Sequence, residues 1–166
     1  MFKDFFESGK EQQNEENKGD KVSVISLEGR TYPVDVMYLD EPTENYIETA
    51  IKTVMDIHLK ANLERSLSLL QEPQGDILLF LTGRDEIQRC VAEIIDRIGR
   101  LDPSTPKLNA LPLYAGLPTS EQLAVFQPAH EGERKVIVST NVAEASVTID
   151  GIVYVVDSGF VKVRHK

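Results

Sequence analysis

Four short apolar runs constrain the fold of this chain more than any other feature. They are residues 77–81, 108–114, 136–138 and 152–156, of which only 108–114 is interrupted by a polar residue, Asn109. A continuous apolar run of this length is typical of a strand in a parallel sheet, where both faces are covered. Segments with apolar residues at helical spacing alternate with these runs, which indicates crossover units between parallel strands. The sequence therefore predicts an α/β fold, a parallel sheet with helices on both faces.

Helices are predicted at three places, residues 44–71, 85–98 and 119–126. Thr43 is expected to cap the first helix, which either runs through residues 61–64 or breaks there into a pair. The second helix is expected to bury one side, which carries Ile87, Val91, Ile94, Ile95 and Ile98. Two upstream segments, residues 22–27 and 34–39, alternate apolar and polar side chains and are predicted to be strands.

Composition excludes several classes of protein. The net charge of −9 gives no overall basic field that would attract nucleic acid or an anionic membrane. No apolar run approaches the roughly 18 residues that a membrane-spanning helix needs. With a single cysteine, Cys90, the chain has no internal disulfide and suits a reducing compartment. Residues 10–21 lack apolar side chains and are predicted to form a disordered loop or insertion.

Small polar residues follow three of the predicted strands. They are Thr82 and Gly83 after the first, Ala115 and Gly116 after the second, and Ser139, Thr140 and Asn141 after the third. Ligands of open α/β sheets bind beyond the carboxyl ends of the strands. Small residues let a ligand backbone approach closely, and amides at the start of a helix favour phosphate. Three such turns on one edge favour an elongated polyanion that crosses the sheet.

The connector between the third and fourth apolar runs, residues 139–150, is rich in hydroxyl and carboxyl groups. Its structural interpretation is a capped helical turn, but a cap accounts for only one hydroxyl. That interpretation leaves Thr140, Ser146, Thr148 and Asp150 unexplained. A functional role is therefore favoured for this connector.

Other polar residues are interpreted as structural. Asp85 and Glu86 fall in a first helical turn, where carboxylates complement the helix dipole. Cys90 is expected to be a small core residue. The three histidines are scattered without the spacing of metal ligands, so no metal site is predicted. Residues 157–159 are interpreted equally well as a strand-end turn or as a functional loop.

Long blocks of the sequence resemble those of one protein family, in the same order and spacing. Motif V of the DEAH-box RNA helicases resembles the segment STNVAEASVTIDGIVYVVDSGF, and their motif IV region resembles GDILLFLTGRDEI. The segment LPLYAGLPTSEQLAVFQPA is similar to the stretch between these two motifs. The segment GRTYPVDVMYL resembles the entry to the second RecA-like lobe, and FKDFF resembles the segment after motif III. The splicing-associated branch of the family is indicated by GFVKVR. Residues 10–21 and 61–71 lie outside the resemblance.

The resemblance implies an incomplete RecA-like helicase C-terminal lobe. Residues 1–30 would be a remnant of the first RecA-like lobe, with an acidic disordered insert at 10–21. Residues 31–166 would be the second lobe, truncated before motif VI. The sequence contains no G-x-x-x-x-G-K-[ST], D-E-A-H or Q-R-x-G-R-x-G-R, so no catalytic residue is assigned to it. Ala145 replaces a threonine usual in motif V, and residues 61–71 are either a gene-model artefact or a lineage-specific extension.

The resemblance also implies roles for individual residues. The RNA-binding residues would be Thr82, Gly83, Ala115, Gly116, Thr140, Asn141 and Ser146, which contact phosphates without reading the base sequence. The ATP-binding residues would be Phe126, stacked on the adenine, with Thr148 and Asp150 near the ribose and phosphates. The alternative for Phe126 is a place in the core. The cofactor would be ATP with Mg²⁺, whose ligands lie outside this chain.

The function implied is that of part of an ATP-dependent RNA helicase of the 3′-to-5′ type. The intact enzyme would couple ATP hydrolysis to RNA unwinding or ribonucleoprotein remodelling in pre-mRNA splicing, and the fragment alone would be inactive. Its partners would be RNA, ATP, the missing first lobe, the C-terminal domains and spliceosomal proteins, with no membrane. Its place would be the nucleus, with the cytoplasm as the alternative. The rival hypothesis is a non-catalytic interaction module that retains the helicase-lobe fold.

Overall fold

The computed structural model describes residues 33–67, 75–141 and 148–162, and of residues 61–67 the backbone alone. The chain divides into two compact units, Met1–Asp40 and Glu41–Lys166. The predictions for residues 10–21 and 22–27 lie outside the described residues. The assignment of residues 1–30 to a first lobe and 31–166 to a second therefore stays a prediction.

The predicted strand at residues 34–39 is wrong. Residues 33–40, the described part of the first unit, form neither helix nor strand, and Met37 among them is 89% exposed. A strand is stabilised when its backbone groups pair with a neighbour, and no such pairing to this segment is present in the described residues. Alternation of apolar and polar side chains is thus not sufficient for a strand here.

The described part of the second unit contains three helices and four strands. In chain order they are α1 (Tyr46–Leu67), β1 (Asp76–Phe80), α2 (Arg84–Gly99), β2 (Lys107–Leu113), α3 (Thr119–Ala124), β3 (Glu133–Ser139) and β4 (Ile152–Asp157). The strands form one sheet in the order β2-β3-β1-β4, and every neighbouring pair is parallel. The predicted parallel α/β sheet is confirmed.

Buried apolar clusters lie on both faces of the sheet, although Val155 of the edge strand β4 is 60% exposed. On one face Ile77 and Val136, which are register partners, lie in a buried cluster with residues of α1 and α2. On the other face Ile137 packs with Val125, which directly follows α3, and with Ile149 of the connector. Ile149, near the end of the connector, therefore lies against the sheet on the α3 side.

The first helix differs from its prediction in its cap. Its cap is Asn45 rather than Thr43, because Asn45 Oδ1 accepts the amide of Glu48 at 3.2 Å. Asn45 directly precedes the helix, where a side-chain oxygen can reach the third helical amide, and Thr43 lies too early for this. Of the two predicted alternatives for this segment, the continuous helix is confirmed, since it runs without a break through residues 61–64 to Leu67.

The second helix buries Ile87, Cys90 and Ile94, but Ile95, predicted on the buried side, is 55% exposed. Successive residues of a helix are rotated by about 100°, so Ile95 points away from the sheet when Ile94 points into it. Cys90 is a core residue, as predicted, and burial raises the pKa of its thiol to about 12.

Candidate RNA and nucleotide interface

The turns after three neighbouring strands lie along the carboxyl edge of the sheet. Because β2, β3 and β1 are parallel and adjacent, Ala115 and Gly116 lie at one end of this edge and Thr82 and Gly83 further along it. Thr140 and Asn141, which follow β3, lie between them. The structure thus brings together all the predicted RNA-side residues except Ser146, which lies outside the described residues.

Hydrogen bonds between the strand ends hold this edge together. The amide of Thr140 donates to the carbonyl of Leu113 at 3.2 Å, and the amide of Leu81 donates to the carbonyl of Ser139 at 2.8 Å. The hydroxyl of Ser139 is fully buried and donates to the carbonyl of Thr140 at 2.7 Å. Ser139 is therefore committed to the fold, and Thr140, half-buried, is the first hydroxyl of the connector open to a ligand.

The turn after β2 leaves its backbone open to close approach. The amide of Leu117 donates to the carbonyl of Tyr114 at 3.2 Å, which places Ala115 and Gly116 at the exposed tip. Gly116 has φ of +90°, in the left-handed region that favours glycine. A Cβ at Gly116 would meet no atom of the described residues within 4 Å. An extended ligand can therefore reach the main chain here.

Thr82 is engaged within the protein. Its hydroxyl and amide both donate to Oε2 of Glu86, at 2.8 and 3.2 Å, while the hydroxyl of Tyr46 donates to Oε1 at 2.8 Å. Burial opposes ionisation of Glu86, but the hydrogen bonds from Tyr46 and Thr82 outweigh burial and lower its pKa. Thr82 thus has no free proton for a phosphate oxygen in this arrangement, and the open group of this turn is Gly83. Glu86 does more than complement the helix dipole.

One cation on this edge was missed by the sequence reasoning. Arg84, the exposed first residue of α2, holds its guanidinium carbon 5.7 Å from the ring centroid of Tyr114. Gln88 Nε2 donates to the hydroxyl of Tyr114 at 3.0 Å and fixes that ring. A cation in the first turn of a helix interacts unfavourably with the helix dipole. The position of Arg84 in the sequence therefore indicated a role other than stabilising the helix. Arg84 adds a positive charge next to the open main chain of Gly83.

The predicted nucleotide-side residues lie away from this edge. The carbonyl of Gly151 accepts the amide of Asp76, the first residue of β1, at 2.8 Å, so Asp150 lies near the amino edge of the sheet. Thr148 and Asp150 are exposed, and Ile149 between them is buried with Val125. Because Val125 directly precedes Phe126, the predicted adenine-stacking residue lies on the same face as Asp150. The general rule for open sheets would have placed these residues at the carboxyl edge.

Phe126 is 42% exposed and its backbone is held in a turn, where its amide donates to the carbonyl of Leu123 at 3.2 Å. The alternative that this ring is a core residue is wrong, since the core residue of the segment is its neighbour Val125. An exposed ring on a fixed turn is suited to stacking on a planar base.

A buried ion pair lies beneath this turn, and the sequence reasoning missed it. Lys135 is 3% exposed and Asp76 is 8% exposed, with Nζ and Oδ2 3.4 Å apart. Nζ also donates to the carbonyls of Val125 at 3.1 Å and Gln127 at 2.7 Å. The third strand was predicted to begin at residue 136, which left Lys135 outside it. The available signal was its position two residues before Ile137, on the same face of the strand.

Metal ligands are not clustered in the part of the chain that the structure describes, where no group of three or more His, Cys, Asp or Glu side chains could hold an ion. His58 is buried in the core, and its Nε2 lies 2.9 Å from the carbonyl of Pro106. Burial lowers the pKa of His58.

No helix of the described residues is long and apolar enough to cross a membrane. Among the described residues, the exposed ring of Phe126 is suited to a planar base, and no cluster of acidic side chains is present to hold Mg²⁺.

The helicase conserved C-terminal domain family matches residues 58–164 of the sequence. This chain belongs to the helicase C-terminal domain family. Two relatives confirm the predicted resemblance to RNA helicases. Human "Probable ATP-dependent RNA helicase DHX35" is 42% identical over 165 residues, which are 98% of this chain and 22% of the relative.

The second relative is "Pre-mRNA-splicing factor ATP-dependent RNA helicase prp22" of Schizosaccharomyces pombe. It is 45% identical over 142 residues, which are 86% of this chain and 11% of the relative. The chain thus spans about a fifth or less of the length of these relatives. The helicase C-terminal domain match begins within α1 and extends past β4, so it includes both the carboxyl-edge turns and the nucleotide-side residues.

Proposed function

We propose that this helicase C-terminal domain is part of an ATP-dependent RNA helicase that couples ATP hydrolysis to RNA unwinding or ribonucleoprotein remodelling in pre-mRNA splicing. One observation carries the proposal. The connector that begins at Thr140 on the carboxyl edge reaches Asp150 near the amino edge, beside the turn of Phe126. A single segment would therefore contact both proposed ligands, so a movement of this segment on binding one ligand would change its contacts with the other.

RNA is proposed to cross the carboxyl edge of the sheet. Thr140, Asn141 and Ser146 would donate to phosphates, with main-chain groups of Gly83, Ala115 and Gly116. Such contacts hold a strand without reading its sequence. Because the chain carries a net charge of −9, these local donors and the Arg84 cation, rather than an overall field, would hold the polyanion.

ATP is proposed to bind at the turn of Phe126, with its adenine on that ring and its ribose and phosphates near Thr148 and Asp150. Mg²⁺ would arrive with ATP and be held by groups of a first RecA-like lobe. The proposed partners are that lobe, the C-terminal domains and spliceosomal proteins. Unwinding is proposed to proceed in the 3′-to-5′ direction. The proposed cellular location is the nucleus, with the cytoplasm as the alternative. This chain alone is proposed not to hydrolyse ATP.

The rival proposal is a non-catalytic interaction module. It is supported by the acidic net charge and by the outer face of β4, where Val155 is 60% exposed. An exposed apolar strand face is suited to a protein partner. Such a module would bind its partner with no dependence on ATP.

The deciding experiment uses a full-length helicase that carries this chain at its matching position, here called the full-length helicase. ATP hydrolysis and duplex RNA unwinding are measured with and without single-stranded RNA, beside the isolated chain. RNA-stimulated hydrolysis and unwinding by the full-length helicase, with no phosphate release by the isolated chain, is the expected result. RNA-independent or absent hydrolysis in the full-length helicase would favour the interaction module instead.

A further inference from the structure

The buried Lys135–Asp76 pair joins the two backbone segments that carry the proposed nucleotide contacts. Lys135 contacts the turn on either side of Phe126, and Asp76 contacts the turn that follows Asp150. Burying two charges costs desolvation free energy that a pair of apolar side chains would not cost, so fold stability alone is a weak explanation for the pair.

The ammonium of Lys135 is directed at the backbone that flanks Phe126. It donates to the carbonyls of Val125 and Gln127, at 3.1 and 2.7 Å, and forms an ion pair with the Asp76 carboxylate at 3.4 Å. Two of the three donors of the ammonium are thus used by the backbone that flanks Phe126. Because α3 ends at Ala124, Phe126 lies outside the regular helix. The hydrogen bonds from Lys135 to the carbonyls on either side of Phe126 stabilise its backbone instead.

Asp76 connects the same pair to the connector. Its Oδ1 accepts the Lys135 amide at 2.8 Å, and its own amide donates to the carbonyl of Gly151 at 2.8 Å. Gly151 has φ of +87°, in the left-handed region that favours glycine, and a Cβ there would come into van der Waals contact with Oδ2 of Asp76, at 3.4 Å. The turn after Asp150 is therefore held by the main-chain amide of Asp76, with the carboxylate of Asp76 nearby.

We propose that Lys135 and Asp76 are positioning residues that hold the turn of Phe126 and the turn of Asp150 at a fixed spacing for the adenine and ribose of ATP. This inference rests on the proposed function. The pair touches no ligand itself and acts through the backbone of both turns. By fixing both turns, the pair would preorganise the Phe126 ring and the Asp150 carboxylate, so that less ordering is needed when the nucleotide binds.

The test measures ATP hydrolysis by the full-length helicase with saturating RNA. Lys135→Met removes the ammonium and is expected to raise KM for ATP about tenfold, with kcat and RNA affinity little changed. The matched control is Arg134→Met, which removes the neighbouring cation of β3. Arg134 donates to the carbonyl of Ile57 at 3.1 Å on α1, away from the nucleotide turns, so KM should stay at the wild-type value.

A second pair of variants separates positioning from stability. Asp76→Asn combined with Lys135→Met leaves no lone buried charge, so its melting temperature should recover toward wild type while KM stays raised. In a Phe126→Ala background, Lys135→Met should raise KM by a smaller factor than in wild type, because its effect passes through that ring.

The proposal is overturned if KM is unchanged in the folded variants, or if KM returns to wild type together with the melting temperature. An equal KM effect with and without Phe126 would also overturn it. If the wild-type full-length helicase turns over no ATP, the proposed function fails and this inference fails with it. Normal wild-type turnover with an unaffected Lys135→Met variant would defeat this inference alone.

Discussion

Tyr46 and Phe160 stack with their ring centroids 4.5 Å apart and their planes inclined by 25°. Tyr46 begins α1, and Phe160 follows β4, so the stack joins the two ends of the described second unit near the carboxyl edge. The Tyr46 hydroxyl continues the contact to Glu86, which in turn holds Thr82. Burial and the Glu86 hydrogen bond raise the pKa of the Tyr46 hydroxyl, so it remains a donor. This network makes Glu86 a support of the candidate RNA edge.

Glu86 is expected to make the stability of the chain depend on pH. Its pKa is lowered in the folded state, so its contribution is fully present above the ordinary carboxyl value of about 4.3. That contribution is lost as the pH falls through the lower, folded pKa. The free energy of unfolding of wild type should therefore exceed that of Glu86→Gln at neutral pH, and the difference should shrink below about pH 4.

Urea unfolding of both proteins across this pH range measures the difference. Asp85→Asn is the matched control, since it removes a carboxylate from the same helical turn. A difference between wild type and Glu86→Gln that stays constant from neutral to acid pH would contradict the assigned network.

Thr140 and Thr82 are expected to contribute unequally to RNA binding, although both follow a strand on the same edge. Loss of one hydrogen bond to a phosphate in Thr140→Ala should cost about 1.5–3 kcal/mol of RNA affinity. Thr82→Val should change RNA affinity little, because the hydroxyl of Thr82 already donates to Glu86. Fluorescence anisotropy with single-stranded RNA and the full-length helicase measures both. Equal losses would show that Thr82 leaves Glu86 when RNA binds.

Phe126→Ala is expected to weaken ATP binding by about 0.5–1.5 kcal/mol through loss of the stack. The ring is half exposed, so its removal should lower the melting temperature only slightly. Leu123→Ala is the matched control, because it removes another large, exposed apolar side chain, which lies on α3 about one turn before Phe126. Titration of a fluorescent ATP analogue and thermal melts measure the two effects. A large loss of melting temperature with unaltered nucleotide affinity would eliminate the stacking role.

Arg84→Gln is expected to weaken RNA binding and to reduce its salt dependence. A cation that neutralises one phosphate of a single strand contributes about 0.7 to the slope of the logarithm of affinity against the logarithm of salt concentration. Arg89→Gln serves as the control, since it removes another exposed arginine of α2, five residues further along the helix. Affinities measured over a range of salt concentrations test this, and an unchanged slope would remove Arg84 from the interface.

The sequence by itself determined the parallel sheet and the strand ends on its carboxyl edge. The apolar runs are local signals, because a strand covered on both faces has a nearly continuous run of apolar residues. The turns of Gly83, Gly116 and Thr140 follow from these runs, since parallel strands end on one edge. Resemblance to helicases then added the roles of Phe126 and Asp150, which spacing alone did not contain.

Only the tertiary structure decided which of the polar groups are free. Thr82 and Thr140 are equivalent in sequence, but Glu86 and Tyr46 take up the donors of Thr82 through contacts between separate elements. Lys135 and Asp76 are 59 residues apart, and their pairing depends on the β3–β1 register. The same dependence on partners explains the error at residues 34–39, where an alternating pattern has no neighbouring strand in the described residues. Hydrogen bonds and ion pairs depend on partners brought close by the fold, whereas the apolar pattern of a buried strand is written in the strand itself.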